Sequence, residues 1–163
     1  METKEYTTID RSAAGWPSGE WDSEPDKVQW QDAATGLPCL AVRNQRSGNW
    51  CGYVGVAEGH KHFGQSYEEP DVSVHGGLTF ANACHAEATP DRGICHIPGK
   101  GEPDHVWWFG FDCAHCDDYS PQDKKYEQER GYPFTIHPEE RYRTLGYVKA
   151  ECRSLAAQLA EAK

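Results

Sequence analysis

The sequence predicts a single α+β domain, with an antiparallel or mixed sheet of about five strands packed by a C-terminal amphipathic helix. Three observations support this fold class. Short apolar or alternating runs, which are typical of strands, recur between turn residues over the first two-thirds of the chain. Apolar residues near the C-terminus recur at three- and four-residue steps, as in a helix with one buried face. The 16 glycines and 10 prolines predict many turns and long loops.

The strands are expected to follow a polar N-terminal segment. We expect residues 1–25 to form a flexible arm, which can dock on the domain through Trp16 or Trp21, and residues 26–163 to form the domain. Five runs predict strands, the first three as an antiparallel meander: residues 28–31, 39–42, 50–56, 72–80 and 106–111. The last run is rich in aromatic residues and is expected to be buried on both faces.

Two helices are predicted after the last strand. Ser120 is a candidate N-cap with Pro121 at the first helical position, which predicts a short exposed helix over residues 122–130. Thr144 is the candidate cap of a second helix, whose apolar face is expected to pack on the sheet. That face consists of Leu145, Val148, Cys152, Leu155 and Leu159.

The charge balance limits the class of partner. The chain has 26 acidic and 16 basic residues and a net charge of −10, so it does not have the excess of positive charge that binding along DNA or RNA requires. The same balance gives no reason to expect an anionic membrane surface as partner. We expect neither a signal peptide nor a membrane-spanning segment. With an odd count of seven cysteines, these features predict a reducing cytoplasm and thiols rather than disulfides.

Reactive side chains follow the aromatic strand directly. Asp112, His115 and Asp117 lie where the strand ends, and a rigid strand end is a place at which a scaffold can hold catalytic groups. These three side chains are candidate ligands for a divalent metal such as zinc, as an alternative to a site that works by acid–base catalysis alone. The alternative is that Asp112 only caps a turn and that the remaining side chains belong to a polar loop.

A second candidate is His75, which Gly76 and Gly77 follow. Two glycines allow backbone N–H groups to approach an anionic ligand, so both glycines are candidate ligand-binding residues. The alternative is a bulge around a hydrogen-bonded core histidine. We predict that His75, Asp112 and His115 converge as catalytic residues, because two imidazoles and a carboxylate provide acid–base catalysis for hydrolysis.

Cysteines offer a competing metal site. Cys113 and Cys116 form a CxxC pair, and the dipeptides 84–85 and 95–96 are both Cys-His. Thiolates and imidazoles are zinc ligands. Adjacent residues of a strand point to opposite faces, however, so only one residue of each dipeptide could readily bind the same ion. A structural zinc site is therefore the less favoured interpretation.

Aromatic residues of the predicted central strands could line a pocket. Trp50, Tyr53 and Trp108 are the candidates for stacking on a ring or a base. Because Trp107 and Trp108 are neighbours in one strand, they must face opposite sides, and only one of them can line that pocket. His96 is a further candidate ligand contact.

Three segments resemble an uncharacterised protein family of phage and bacterial genomes: residues 50–56 (WCGYVGV), 74–80 (VHGGLTF) and 107–115 (WWFGFDCAH). The C-terminal helix is similar too, and the resemblance covers about residues 48–163. It implies a phage-encoded protein that acts in the bacterial cytoplasm. Small phage proteins of this kind often counter host defence, which implies a nucleotide second messenger as ligand. Position 116 in that family is usually not cysteine, which further disfavours a zinc site at the CxxC pair.

These observations together predict a cytoplasmic hydrolase that cleaves a small nucleotide-like phosphodiester at a His/Asp site. Two alternatives stay open. The same pocket could sequester the nucleotide unchanged, or the acidic surface could bind and inhibit a basic host protein. Neither a nucleic-acid polymer nor a membrane is expected as partner.

Overall fold

Six strands form one open antiparallel sheet in this computed structural model, which describes residues 1–85, 88–133 and 141–161. The order across the sheet is β1-β2-β3-β4-β6-β5. The predicted α+β fold is confirmed, with β4 and β6 at the centre of the pairing. The strands are β1 (Lys4–Tyr6), β2 (Lys27–Gln31), β3 (Pro38–Arg43), β4 (Trp50–Ala57), β5 (Phe80–Ala83) and β6 (Val106–Asp112).

The two predicted helices begin at the caps that the sequence indicates. Ser120 Oγ accepts a hydrogen bond from the Asp123 backbone N–H at 3.1 Å, and Thr144 Oγ1 accepts one from the Tyr147 N–H at 3.3 Å. None of the helices within the described ranges combines the length and the apolar character needed to cross a membrane. The elements are α1 (Arg11–Ala14), a 3-10 helix (Glu20–Ser23), α2 (Pro121–Arg130) and α3 (Leu145–Glu161).

The main core lies between α3 and one face of the sheet. Of the predicted apolar stripe, Leu145 is half-buried and the other four residues are fully buried. Gly52 of β4 lets the helix approach closely, because a Cβ at this position would lie 2.8 Å from Cys152 Sγ and closer still to the Phe111 ring. The close packing of the C-terminal helix on the sheet therefore depends on the absence of a side chain at Gly52.

A smaller core covers the opposite face. Tyr53 and Trp108 lie there, while Trp107 packs against the α3 side, so the two neighbouring tryptophans face opposite ways as the strand period predicts. Buried Lys27 donates hydrogen bonds to the carbonyl oxygens of Gly93 and Cys95, both at 2.7 Å. These bonds hold the connection between β5 and β6 against the sheet.

Residues 1–25, expected as a flexible arm, are packed on the domain in this structure. β1 pairs with β2, and the indole of Trp21 is 3% exposed, with its ring 5.1 Å from that of Tyr142. Glu24 ties the segment to two other elements, since it accepts hydrogen bonds from Arg43 at 2.7 Å and from the Leu145 N–H at 2.7 Å. The carboxylate thereby pairs with a buried cation and caps α3.

The predicted strand over residues 72–80 is wrong. Gly76 and Gly77 both have positive φ angles, 65° and 83°, which an extended strand excludes, and the chain forms a strand only from Phe80. Side chains of α3 hydrogen-bond to the backbone of this segment in place of a neighbouring strand. Gln158 accepts from the Ser73 N–H at 2.7 Å, and Glu151 accepts from the His75 N–H at 2.8 Å. This bend brings His75 beside α3.

Candidate active site

Two histidines from distant parts of the chain meet at the end of β6. His75 lies in the bend before β5 and His115 in the turn after β6, and their ring centroids are 5.4 Å apart. The carboxylate of Asp118 lies between them. One ligand atom from each of these three side chains falls within 4.8 Å of the others. We refer to His75, His115 and Asp118 as the His–Asp cluster.

Asp118 is the most constrained member of the cluster. Its side chain is 0% exposed. Oδ1 accepts from Arg143 Nε at 2.8 Å, and Oδ2 accepts from His75 Nε2 at 2.8 Å and from the His115 N–H at 3.0 Å. Burial by itself raises the pKa of Asp118, but the bonds from Arg143, His75 and His115 outweigh it and hold the pKa below its usual value. The cluster is therefore built around an ionised carboxylate.

Helix α3 and the residues just before it orient this carboxylate and His75. His75 Nδ1 lies 2.9 Å from the hydroxyl oxygen of Tyr147, and the guanidinium of Arg143 stands 4.9 Å from the centre of the same ring. Burial and the nearby Glu151 carboxylate raise the pKa of Tyr147, so its hydroxyl stays protonated. Sequence analysis did not single out Arg143, Tyr147 or Glu151. Tyr147 and Glu151 lie four residues apart on one side of α3, which was the signal available for these two, whereas Arg143 precedes the helix.

His115 is the more exposed imidazole of the pair, with 37% of its side chain exposed against 12% for His75. Its Nδ1 lies 3.4 Å from Asp118 Oδ2. The ring covers Gly76, where a Cβ would lie 2.7 Å from Nδ1 and closer still to the other ring atoms. His115 can therefore approach His75 and Asp118 only because residue 76 has no side chain.

The carboxylates predicted to complete the site are placed differently. Asp112 Oδ2 accepts from Thr79 Oγ1 at 2.9 Å and Oδ1 accepts from the Ala114 N–H at 3.1 Å, which is the turn-capping role of the alternative interpretation. Asp112 still lies 3.9 Å from His115 Nδ1, at the edge of the cluster. Asp117 is exposed and lies outside the cluster. Asp118, which follows it, occupies the central place.

The aromatic residues predicted to bind a ligand lie in the core instead. Trp50 is 0% exposed and donates to Glu24 at 3.0 Å. Tyr53 and Trp108 belong to the smaller core on the other face of the sheet, and His96 packs there against Trp108 with ring centroids 5.2 Å apart. Burial lowers the pKa of His96. Trp50, Tyr53 and Trp108 are buried because core residues pack on both faces of β4 and β6 around these side chains.

A cleft of about 560 Å³ lies next to the His–Asp cluster. His115 and Asp118 border it on one side, and Arg141 and the 44% exposed ring of Tyr126 also line it. The cleft is large enough for a small ligand, within the range of volumes usual for such sites. Its lining includes aromatic, cationic and imidazole groups.

The described residues do not bring the ligands of the competing cysteine site together. Cys84 and Cys95 form a disulfide, with Cα atoms 5.1 Å apart, so neither sulfur is available as a thiolate ligand. This pair also contradicts the expectation that the cysteines are thiols. Within the CxxC pair, Cys113 is buried and Cys116 is exposed, and burial raises the pKa of the Cys113 thiol. Neither sulfur belongs to a group of three metal-ligating side chains among the described residues.

Comparison of the chain with known protein families, with curated proteins and with solved structures gave no match. The resemblance to a phage and bacterial family therefore stays a prediction, and the functional argument depends on the geometry of the site.

Proposed function

We propose that this protein is a hydrolase that cleaves a small, nucleotide-like phosphodiester, with the His–Asp cluster as its reaction centre. The observation that carries the proposal is the convergence of two imidazoles on one buried, ionised carboxylate at the side of an open cleft. Imidazoles held by a carboxylate are the groups that most often move protons in hydrolysis.

The surroundings of the cluster suit a phosphate ester. In the reaction, a water oxygen forms a bond to phosphorus and gives up a proton, while the bond to the leaving oxygen breaks and that oxygen takes up a proton. Arg143 is 28% exposed, and its Nη1 and Nη2 atoms make no hydrogen bond to any residue that the structure describes. These donors are available to phosphate oxygens. Arg141 lines the cleft itself and supplies a cation there.

The net charge of the protein favours a small substrate. The net charge of −10 disfavours binding along a polymer of phosphates, because repulsion grows with every additional phosphate. A single phosphodiester needs only the local cations. The exposed ring of Tyr126 in the cleft offers a stacking surface for a base, a role that the sequence had suggested for Trp50, Tyr53 and Trp108.

The same cleft supports sequestration of a nucleotide without chemistry as a second candidate, because stacking on Tyr126 requires no reaction centre. The test is incubation of the purified protein with a panel of linear and cyclic nucleotides, followed by mass spectrometry before and after the protein is denatured. Hydrolysis predicts loss of one compound and appearance of its cleavage products. Sequestration predicts a compound that leaves the solution and returns intact on denaturation. A panel that remains unchanged throughout contradicts both.

The resemblance adds a setting to the proposal: a phage-encoded enzyme in the bacterial cytoplasm, directed at a host defence signal. The Cys84–Cys95 disulfide is the observation that argues against this setting, because cytoplasmic thiols are normally kept reduced. Detection of the disulfide in protein taken from cells under thiol-blocking conditions would contradict a reducing cytoplasm as the setting. Free thiols at both positions would support it.

A further inference from the structure

We propose that the His–Asp cluster binds one divalent transition-metal ion, Zn²⁺ in the hydrolytic enzyme, through His75 Nε2, His115 Nδ1 and Asp118 Oδ2. The inference rests on the proposed function for its role, since the ion would activate the attacking water. Its binding can be measured without any substrate.

The first argument is the crowding around one oxygen atom. Three nitrogen atoms surround Asp118 Oδ2: His75 Nε2 at 2.8 Å, the His115 backbone nitrogen at 3.0 Å and His115 Nδ1 at 3.4 Å. A carboxylate oxygen has two lone pairs, so it cannot form three good hydrogen bonds. A cation between the oxygen and the two imidazoles removes the conflict. One lone pair then binds the ion and the other accepts the backbone N–H.

The second argument is distance. Zinc binds imidazole nitrogen at about 2.0–2.1 Å and carboxylate oxygen at about 2.0–2.2 Å in a tetrahedron, which places neighbouring ligand atoms about 3.3 Å apart. The oxygen-to-nitrogen distances of 2.8 and 3.4 Å bracket that value. All three ligand atoms lie within 4.8 Å of one another. Admitting the ion requires side-chain shifts that widen the shorter oxygen-to-nitrogen distance and bring the two imidazole nitrogens to tetrahedral spacing.

The third argument is the set of partners behind each ligand. With its proton on Nδ1, His75 can donate a hydrogen bond to the Tyr147 hydroxyl oxygen, 2.9 Å away, and its Nε2 lone pair can bind metal in place of the bond to Asp118. Arg143 holds Asp118 Oδ1 at 2.8 Å, which directs Oδ2 to the ion. Metal-binding histidines and carboxylates usually have such partners. Gly76 provides the space into which the His115 ring fits.

The ligand set indicates the chemistry. Two imidazoles and one carboxylate leave a tetrahedral zinc ion with one open position, as in catalytic rather than structural sites. Two of the three ligands, His115 and Asp118, border the cleft in which a substrate would bind. A zinc-bound water loses its proton near neutral pH, and the ion also neutralises charge on the phosphate. Such an ion gives an acidic protein the local positive charge that it needs to bind an anion.

The experiment uses the full chain, stripped with a chelator and dialysed. Isothermal titration with Zn²⁺ measures stoichiometry and affinity, and visible absorption after titration with Co²⁺ reports the coordination geometry. We expect one ion per chain. Replacing a partner of a ligand typically lowers metal affinity by about 10–100-fold, which is the expectation for Tyr147→Phe. His115→Ala, which removes a ligand, should cause a larger loss.

Matched controls come from the same chain. His105 is an exposed histidine paired with Glu58, and Asp117 is exposed and lies next to Asp118 in sequence. His105→Ala, Asp117→Asn and Cys116→Ser should bind Zn²⁺ as the unmodified protein does. The inference is overturned by the absence of stoichiometric binding, by equal affinity in His115→Ala, or by loss of binding in Cys116→Ser. His115 is 37% exposed, so its replacement should leave the fold intact, which circular dichroism checks.

The two proposals fail in different ways. Zinc binding at this site without hydrolysis of any compound removes the proposed function and leaves the metal site. Hydrolysis that persists in the stripped protein, together with no zinc binding, removes the metal site and leaves the proposed function.

Discussion

Gly76 controls the approach of His115 to the cluster at the scale of single residues. Gly76 and Gly77 both have positive φ angles, so alanine at either position should cost about 1–2 kcal/mol of backbone strain. Only at position 76 would the new methyl group overlap the His115 ring, since nothing lies within 4 Å of a Cβ at Gly77. We therefore expect Gly76→Ala to lower the hydrolysis rate about a hundredfold by displacing a catalytic group.

Gly77→Ala is the matched control for this prediction. It should lose stability from backbone strain alone, no more than Gly76→Ala loses in urea denaturation, and keep its hydrolytic activity. Equal activity of the two variants would show that the position of the His115 ring does not matter.

The sequence predicts the histidines of the site better than its carboxylate. His75 and His115 are conspicuous because one precedes a glycine pair and the other follows a buried strand. Asp112, Asp117 and Asp118 all follow the same strand, and only the conformation of the turn decides which side chain points inward. The turn points the side chain of Asp118 inward, and Arg143 stabilises its charge there. Arg143 is 25 positions away, and no local pattern reveals that pairing.

At the scale of elements, the contact between α3 and β4 depends on Gly52. Alanine at this position would overlap Phe111 and Cys152 Sγ, and overpacking of this kind costs about 1–3 kcal/mol. Gly146 at the start of α3 is exposed, and a Cβ there would meet only Thr144 Oγ1 at 3.7 Å. Gly146→Ala should instead stabilise the protein by about 0.4–1 kcal/mol.

Urea denaturation of both variants checks this pair of predictions. The expected result is a lower free energy of unfolding for Gly52→Ala and a higher one for Gly146→Ala. A neutral Gly52→Ala variant would mean that α3 does not pack as closely on the sheet as the structure shows.

Elements with a clear period could be predicted, whereas elements set by long-range contacts could not. The apolar stripe of α3 and the alternation of Trp107 and Trp108 depend only on local geometry. β1 is too short and polar to be recognised, and it forms because β2 offers a free edge. The bend at residues 72–79 has apolar residues like a strand, but α3 side chains satisfy its backbone.

At the scale of the whole molecule, the Cys84–Cys95 disulfide closes a segment beside the smaller core. A cross-link over 11 positions should stabilise the protein by about 2–3 kcal/mol, mainly by restricting the unfolded chain. We expect reduction to lower the free energy of unfolding by that amount. The double variant Cys84→Ser/Cys95→Ser should not respond to reductant. An unmodified protein that is equally stable with and without reductant would contradict the pairing.

The central claim is that the His–Asp cluster is the reaction centre of a hydrolase, and one measurement tests it most directly. Product formation from the nucleotide panel is followed by mass spectrometry for the unmodified protein, His115→Ala and His105→Ala. A group that takes part in proton transfer or water activation contributes about 10²–10⁴-fold to the rate. We predict a loss of that size for His115→Ala and an unchanged rate for His105→Ala. An unchanged rate in His115→Ala, or no hydrolysis by the unmodified protein, would contradict the claim.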